Sequence, residues 1–211
     1  MTSKLVTDLK IQNKNKNRTS VYLDGEYSFG LTNTLASSLA IGQELSEKQI
    51  SENNDQDEFE EAFRRADHFI GYRPRAVAEV TRKLHSLHFN DRIVEKVVER
   101  LSEQSILDDK RFASQWVEER SNSKPRGRKL LENELHQKGV QSEIIQQALG
   151  SINSNGLALK AAHEYARKLQ KIEWVAFRQK LSGFLMRRGF EYSEILPIVK
   201  NVWEEKNIDE K

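Results

Sequence analysis

The chain has 211 residues, no cysteine, 31% charged and 37% hydrophobic residues and a net charge of +2 at neutral pH, with a mean hydropathy of −0.73. Without thiols there is no disulfide framework and no thiolate metal site. With no apolar run near the roughly 18 residues of a membrane span, and no apolar core in "MTSKLVTDLKIQNKNK" to serve a signal peptide, a cytoplasmic protein is expected.

Residues 4–31 read as strands. "LVTDLKIQ" roughly alternates, and "TSVYLDGEYSFGL" holds two β-rich runs joined by Asp24-Gly25, a hairpin signal because both central residues of such a turn need positive φ. So small a sheet needs a helix from "TNTLASSLAI", or a partner, to pack against. The acidic stretch "LSEKQISENNDQDEFEE" reads as a helix followed by a linker.

From about residue 58 the period becomes helical, and three segments superpose: "EVTRKLHSLHFNDRIVEKVVERL", "LLENELHQKGVQSEIIQQALGSI" and "LSGFLMRRGFEYSEILPIVKNVW". Leu84, Leu135 and Leu185 anchor them, Phe89, Val140 and Phe190 coincide five residues on, and apolar stripes follow at i, i+3, i+4 and i+7 (Val94, Val97, Val98, Leu101 in the first). Upstream, Val80, Leu131 and Leu181 correspond, as do Arg73-Pro74-Arg75 and Lys124-Pro125-Arg126. The fold class is therefore mainly α: three tandem three-helix repeats over 58–107, 108–152 and 153–211, in an elongated curved array, preceded by a small β-hairpin-containing segment with a short helix and acidic linker over 1–57. No repeat buries its apolar face alone, so neighbours must stack.

Pro74 and Pro125 suit a turn between helices, since proline at a first helical position loses no needed hydrogen bond. Gly139 and Gly189 follow Lys138 and Arg188, as at helix ends where glycine turns left-handed and a cation meets the helix dipole. His88 stands in that place in the first repeat, which predicts a more strained corner.

Asp108 and Asp109 precede Phe112, Ala113, Trp116 and Val117 at helical spacing, so capping accounts for both acids. A metal pair would need further ligands, and none with suitable spacing is near. The histidines at 68, 85, 88, 136 and 163 form no ligand pattern, and no phosphate loop, nucleophile elbow or zinc-protease motif is present. Neither a catalytic residue, a metal nor a cofactor is expected. The stronger signal is basic: "SNSKPRGRKLL" gathers Lys124, Arg126, Arg128 and Lys129, and "YRPR" places Arg73 and Arg75 at the equivalent spot. On stacked repeats these would recur on one side, able to meet phosphates or an acidic protein surface, whereas unstacked they are solvated loops.

"YRPRAVAEVTRKL" with its corner "LHF", and "ILDDKRFASQWVEERSNSKPRGRKLLENELHQKGV", together resemble the RecX family of bacterial recombination regulators, a likeness that covers roughly residues 60–150 and extends more loosely to the third repeat. The resemblance implies a modular, all-helical, non-enzymatic protein that lies in the groove of the RecA filament on single-stranded DNA and limits its extension, recombinase and ATPase activities. Its partners would be the RecA filament and, for some members, single- or double-stranded DNA, with no membrane and a monomeric state. By carry-over, Arg73, Arg75, Lys124, Arg126, Arg128 and Lys129 would contact filament or DNA. Asp108, Asp109, Phe112, Ala113, Gly139 and Gly189 would be architectural, fixing the joints between repeats. The alternative is a DNA-binding module of helix-turn-helix-like units acting without RecA, which a net charge of only +2 disfavours as the sole activity.

Overall fold

A computed structural model describes residues 3–150 and 152–209, with side chains as far as Lys206. The chain divides into two compact units, Met1–Arg73 with Val80–Gln104 and Pro74–Glu79 with Ser105–Lys211.

The first unit begins with a four-stranded antiparallel sheet ordered β3-β2-β1-β4, from β1 (Ser3–Ile11), β2 (Arg18–Leu23), β3 (Glu26–Thr32) and β4 (Glu44–Ser46). The β2–β3 turn takes positive φ at Asp24 (51°) and Gly25 (87°). Alternation sends Val6, Val21, Leu23, Phe29, Leu31 and Leu45 to one face, where Ala36, Leu35, Leu39 and Ile50 cover them. Of the helix expected in "TNTLASSLAI", a single turn forms, α1 (Asn33–Ala36).

The linker expected after it does not exist. One helix, α2, runs from Glu47 to Gly71, opened by a capping box between Ser46 and Gln49. Two features carry the acidic stretch. Glu and Gln are good helix formers, and Asp57, only 7% exposed, takes the Arg18 guanidinium at 2.6 Å and the Thr32 N–H at 2.7 Å. A carboxylate that would look solvent-bound in sequence thus pins α2 to the edge strand β3. The helix α4 (Asp91–Glu103), capped by Asn90, joins α2 through Arg92–Asp55 at 3.0 Å and Asn90–Glu58.

The helix α3 (Val77–Ser86) precedes α4. It ends in a corner that recurs twice in the second unit, whose helices are α5 (Asp109–Ser123), α6 (Arg128–Lys138), α7 (Ser142–Leu149), α8 (Ser154–Ala166), α9 (Trp174–Arg187) and α10 (Tyr192–Asp209). At each corner the amide five residues past the anchor leucine donates back to it: Phe89 to Leu84 at 3.3 Å, Val140 to Leu135 at 3.1 Å, Phe190 to Leu185 at 3.2 Å. The intervening residue is left-handed, His88 at φ 67°, Gly139 at 86° and Gly189 at 84°. This is the Schellman turn, whose bond joins the third-last helical residue to the second residue beyond the cap and carries a hydrophobic contact between them. The spacing from leucine to aromatic or valine is thus the turn itself. His88→Gly should raise the stability of the first corner by up to about 1 kcal/mol, since a side chain at positive φ costs more than glycine's lost entropy; an unchanged urea midpoint would show that His88 is unstrained.

The prolines stand in turns between helices, as expected, though not at the first helical position itself. Pro74 and Pro125 lie three residues before α3 and α6. Proline forces the residue before it out of the helical region, and Lys124 accordingly closes α5 at φ −145°, ψ 86°. The prolines end one helix rather than begin the next.

Two cores fill the second unit. Phe112, Ala113, Val117, Leu131, Leu135, Val140, Ile145 and Leu149 form one, with Ala76; Phe177, Leu181, Leu185, Phe190, Ile195, Val199 and Val202 form the other, with alanines of α8. Trp174 and Trp203 pack against the latter. Glycine joints bring neighbouring elements to backbone contact. A Cβ on Gly127 would meet the Gly189 carbonyl oxygen at 2.2 Å, and one on Gly139 would meet the Ala78 Cβ at 2.4 Å. The Gly127 N–H donates to the Arg188 carbonyl at 2.8 Å, a main-chain bond that fixes α6 against the last corner.

Candidate interaction surface

Asp108 caps α5, its Oδ1 accepting from the amides of Lys110 at 2.9 Å and Arg111 at 3.0 Å. Asp109 does something else. Its Oδ1 accepts the Val77 N–H at 2.9 Å, tying the first turn of α3 to the start of α5. Phe112 and Ala113 on the next turn are buried. Burial pushes the Asp109 carboxyl above its ordinary value; the Val77 bond opposes this, and Asp108 and Glu79 reinforce it. A carboxyl raised in the folded state favours folding below its ordinary pKa, 3.8, and that contribution is lost as pH rises through the raised value. Asp109→Asn keeps an acceptor for Val77 without the charge. Relative to wild type, the variant should therefore gain stability as pH rises above 3.8, the ordinary value of the carboxyl; parallel stability curves on both sides of it would show that the charge is not penalised.

The basic turns are not arranged as a row of free cations. Arg126 is paired with Glu134, which also accepts the Trp116 indole N–H at 2.9 Å and lies 3.6 Å from Arg120 Nε. The Arg120 guanidinium stacks over Trp116 at 4.2 Å, with the Lys138 ammonium 5.2 Å from the same ring. Lys138 reaches Glu79 at 3.0 Å, beside Arg75 at 3.8 Å. Arg188 approaches the Pro125 carbonyl at 3.5 Å. Burial, then the charges of Arg120 and Arg188, hold the Arg126 guanidinium below its ordinary pKa, though a guanidinium stays charged at any physiological pH. Around one indole, Arg75 and Lys138 thus lie against Glu79, Arg126 against Glu134, and Arg120 between Glu134 and Glu119, the latter at 3.1 Å, with the Arg188 charge close to Arg126.

The remaining turn residues divide. Arg128 closes the end of α7, donating to the Leu149 carbonyl at 3.0 Å. Lys124 and Lys129 are exposed. Arg73 is exposed too, and its backbone N–H bonds the Ile70 carbonyl in the first unit. Sequence reasoning missed Arg120 and Glu134. The Trp116–Arg120 spacing of four is a legible signal for a cation on an indole, whereas Glu134 lies eight residues from Arg126 and is brought to it only by the turn. Among the described residues no cluster of histidine and acidic side chains could hold a metal ion, and no helix is long and apolar enough to cross a membrane.

The fold and this surface define a tandem three-helix-repeat protein with a small N-terminal sheet. Family models cover most of it: the regulatory protein RecX N-terminal domain over residues 4–46, and the first, second and third RecX three-helix domains over 62–101, 108–149 and 156–199. The chain belongs to the RecX family. It is similar to the regulatory protein RecX of Clostridium acetobutylicum, 29% identical over 98% of this chain and 100% of that one. To the regulatory protein RecX of Bacillus subtilis it is 27% identical over 97% and 79%. A crystal structure titled regulatory protein RecX superposes with a TM-score of 0.71 at 26% identity, covering 94% of this chain and 99% of that one. The RecX structure from Lactobacillus salivarius, at 22% identity and a TM-score of 0.63, covers 69% and 97% and shares the fold.

Proposed function

We propose that this RecX-type regulator is a cytoplasmic, non-enzymatic, monomeric modulator of RecA that binds the RecA filament on single-stranded DNA and restrains its assembly, recombinase and ATPase activities. The observation that carries the reading is the positive excess around Trp116, flanked by exposed Lys124 and Lys129. Such a surface suits the acidic face of a filament or its DNA. Within it, Lys124 and Lys129 make the outward contacts, and Arg75, Arg126 and Arg128 hold the surface in shape; Arg73, on the first unit, is a separate candidate contact.

The test is ATP hydrolysis by RecA on single-stranded DNA, titrated with this protein at low and moderate salt and with excess DNA as control. Inhibition at substoichiometric protein that survives excess DNA, and weakens in Lys124→Glu/Lys129→Glu, supports filament regulation. No inhibition, or inhibition abolished by extra DNA, moves the activity to the alternative, a DNA-binding module of helix-turn-helix-like units. That second reading is favoured by the same excess of cations.

A further inference from the structure

The outer face of the N-terminal sheet has no place in the reading above. Register brings Asp8, Tyr22 and Tyr27 into one row across β1, β2 and β3, with Lys10, Ser20 and Gly30 in the next. No aliphatic side chain stands in these rows. The Tyr22 and Tyr27 rings meet edge to face, centroids 6.0 Å apart at 79°, and the Lys10 ammonium sits 4.9 Å from the Tyr22 ring. Lys10 also pairs with Asp8 at 2.6 Å. Tyr27 is 60% exposed.

Beyond Lys10 the β1–β2 loop continues the track. From Gln12 to Leu23 the chain carries Lys14, Lys16 and Arg18 and no acid. The loop is held in shape. Its ends are joined by the Gln12 N–H on the Arg18 carbonyl at 2.8 Å and the Arg18 N–H on the Asn15 carbonyl at 3.1 Å. Asn33 grips its far side, the side-chain amide donating to the Lys16 carbonyl at 2.8 Å and the backbone N–H to the Asn17 carbonyl at 3.0 Å. Lys14 and Lys16 therefore stand exposed on an ordered support.

We propose that this face binds single-stranded nucleic acid, unpaired bases stacking on Tyr27 and Tyr22 while phosphates follow Lys10, Lys14 and Lys16. From Tyr22 to the loop at Asn17 is five residues, about 17 Å at roughly 3.3 Å each, the reach of a few nucleotides. Exposed aromatics beside a cationic groove are what sequence-tolerant strand binding requires, and a duplex hides the base faces the tyrosines would need. The site goes beyond the filament reading and does not depend on it, because oligonucleotide binding is measured without RecA.

The experiment is fluorescence anisotropy of the full chain with thymidine and uridine oligomers of about 15 nucleotides, a length within the usual span of such sites, and a duplex of equal length. Single strands should bind more tightly than duplex. Tyr27→Ala should weaken single-strand binding at least about 5-fold, leave duplex binding unchanged, and be rescued by Tyr27→Phe. Lys14→Glu/Lys16→Glu should flatten the salt dependence, which keeps the test alive should Tyr27→Ala unfold the sheet. Thymidine and uridine oligomers bound alike would mean that the face ignores the sugar; a preference would name DNA or RNA as the ligand. Equal loss on duplex, wild-type binding by Tyr27→Ala, wild-type salt dependence in the lysine variant, or a larger loss from Lys124→Glu/Lys129→Glu than from either, would overturn the proposal.

Discussion

Gly127→Ala is expected to lower stability by about 3 kcal/mol or more, at the upper end of what overpacking costs. The added methyl carbon would fall 2.2 Å from the Gly189 carbonyl oxygen, 2.3 Å from its carbon and 2.5 Å from the Phe190 nitrogen. All three are main-chain atoms inside a Schellman turn, with no rotamer to yield. The backbone of Gly127 is ordinary, φ −72°, ψ 161°, so the loss would measure the contact alone and not glycine's conformational freedom. The melting temperature should fall roughly 6–12 °C, and the amide at 127, sheltered by the Arg188 carbonyl, should exchange faster with solvent. Gly71→Ala is the control: its Cβ meets nothing within 4 Å and it is the last residue of α2, so stability should be unchanged or slightly raised. Equal effects of the two substitutions would refute the joint.

Glu134→Ala should be nearly as costly, about 2–3 kcal/mol. The substitution removes the acceptor of the Trp116 indole, the counter-charge of Arg126 and one of the two carboxylates beside Arg120, which keeps Glu119 at 3.1 Å. The two guanidiniums, with side-chain exposures of 24% and 22%, would then face each other and Arg188 in a half-buried site. Salt should restore part of the loss by screening them. Charge reversal at Arg126 would damage the same site, so any binding defect it caused would be confounded with loss of structure. Lys124 and Lys129 are the cleaner probes. A Glu134→Ala protein as stable as wild type at low salt would mean that the cluster contributes nothing.

What could be read from the sequence follows from how local each cause is. The corner turns were legible because a Schellman turn writes its bond into five consecutive positions, Leu84 to Phe89 and its two counterparts. The β2–β3 hairpin was legible because Asp24-Gly25 suits a turn with two positive φ values. The strand β4 was not: "ELS" is three residues long and becomes a strand only by pairing with Ser3–Leu5, some 40 positions away. The continuity of α2 was hidden for the same reason, since Asp57 owes its place to Arg18 and Thr32 on the sheet. In the interaction surface, residue type and turn position identified the cations. They could not tell Arg126 and Arg128, spent on Glu134 and the end of α7, from Lys124 and Lys129, which face water.

The close contact between Gly127 and Gly189 is made of amides, carbonyls and missing side chains, with an ionisable group beside it, the Arg188 guanidinium near the Pro125 carbonyl. Ionic strength therefore has little direct purchase on the main-chain contact, while the cations around Trp116 and the lysines beside them lose reach as the Debye length shrinks from about 10 Å at 0.1 M salt to 3 Å at 1 M. If the basic surface binds as proposed, salt should release the partner while the main-chain contact between the last two repeats stays in place, so the protein would be recovered with its architecture intact.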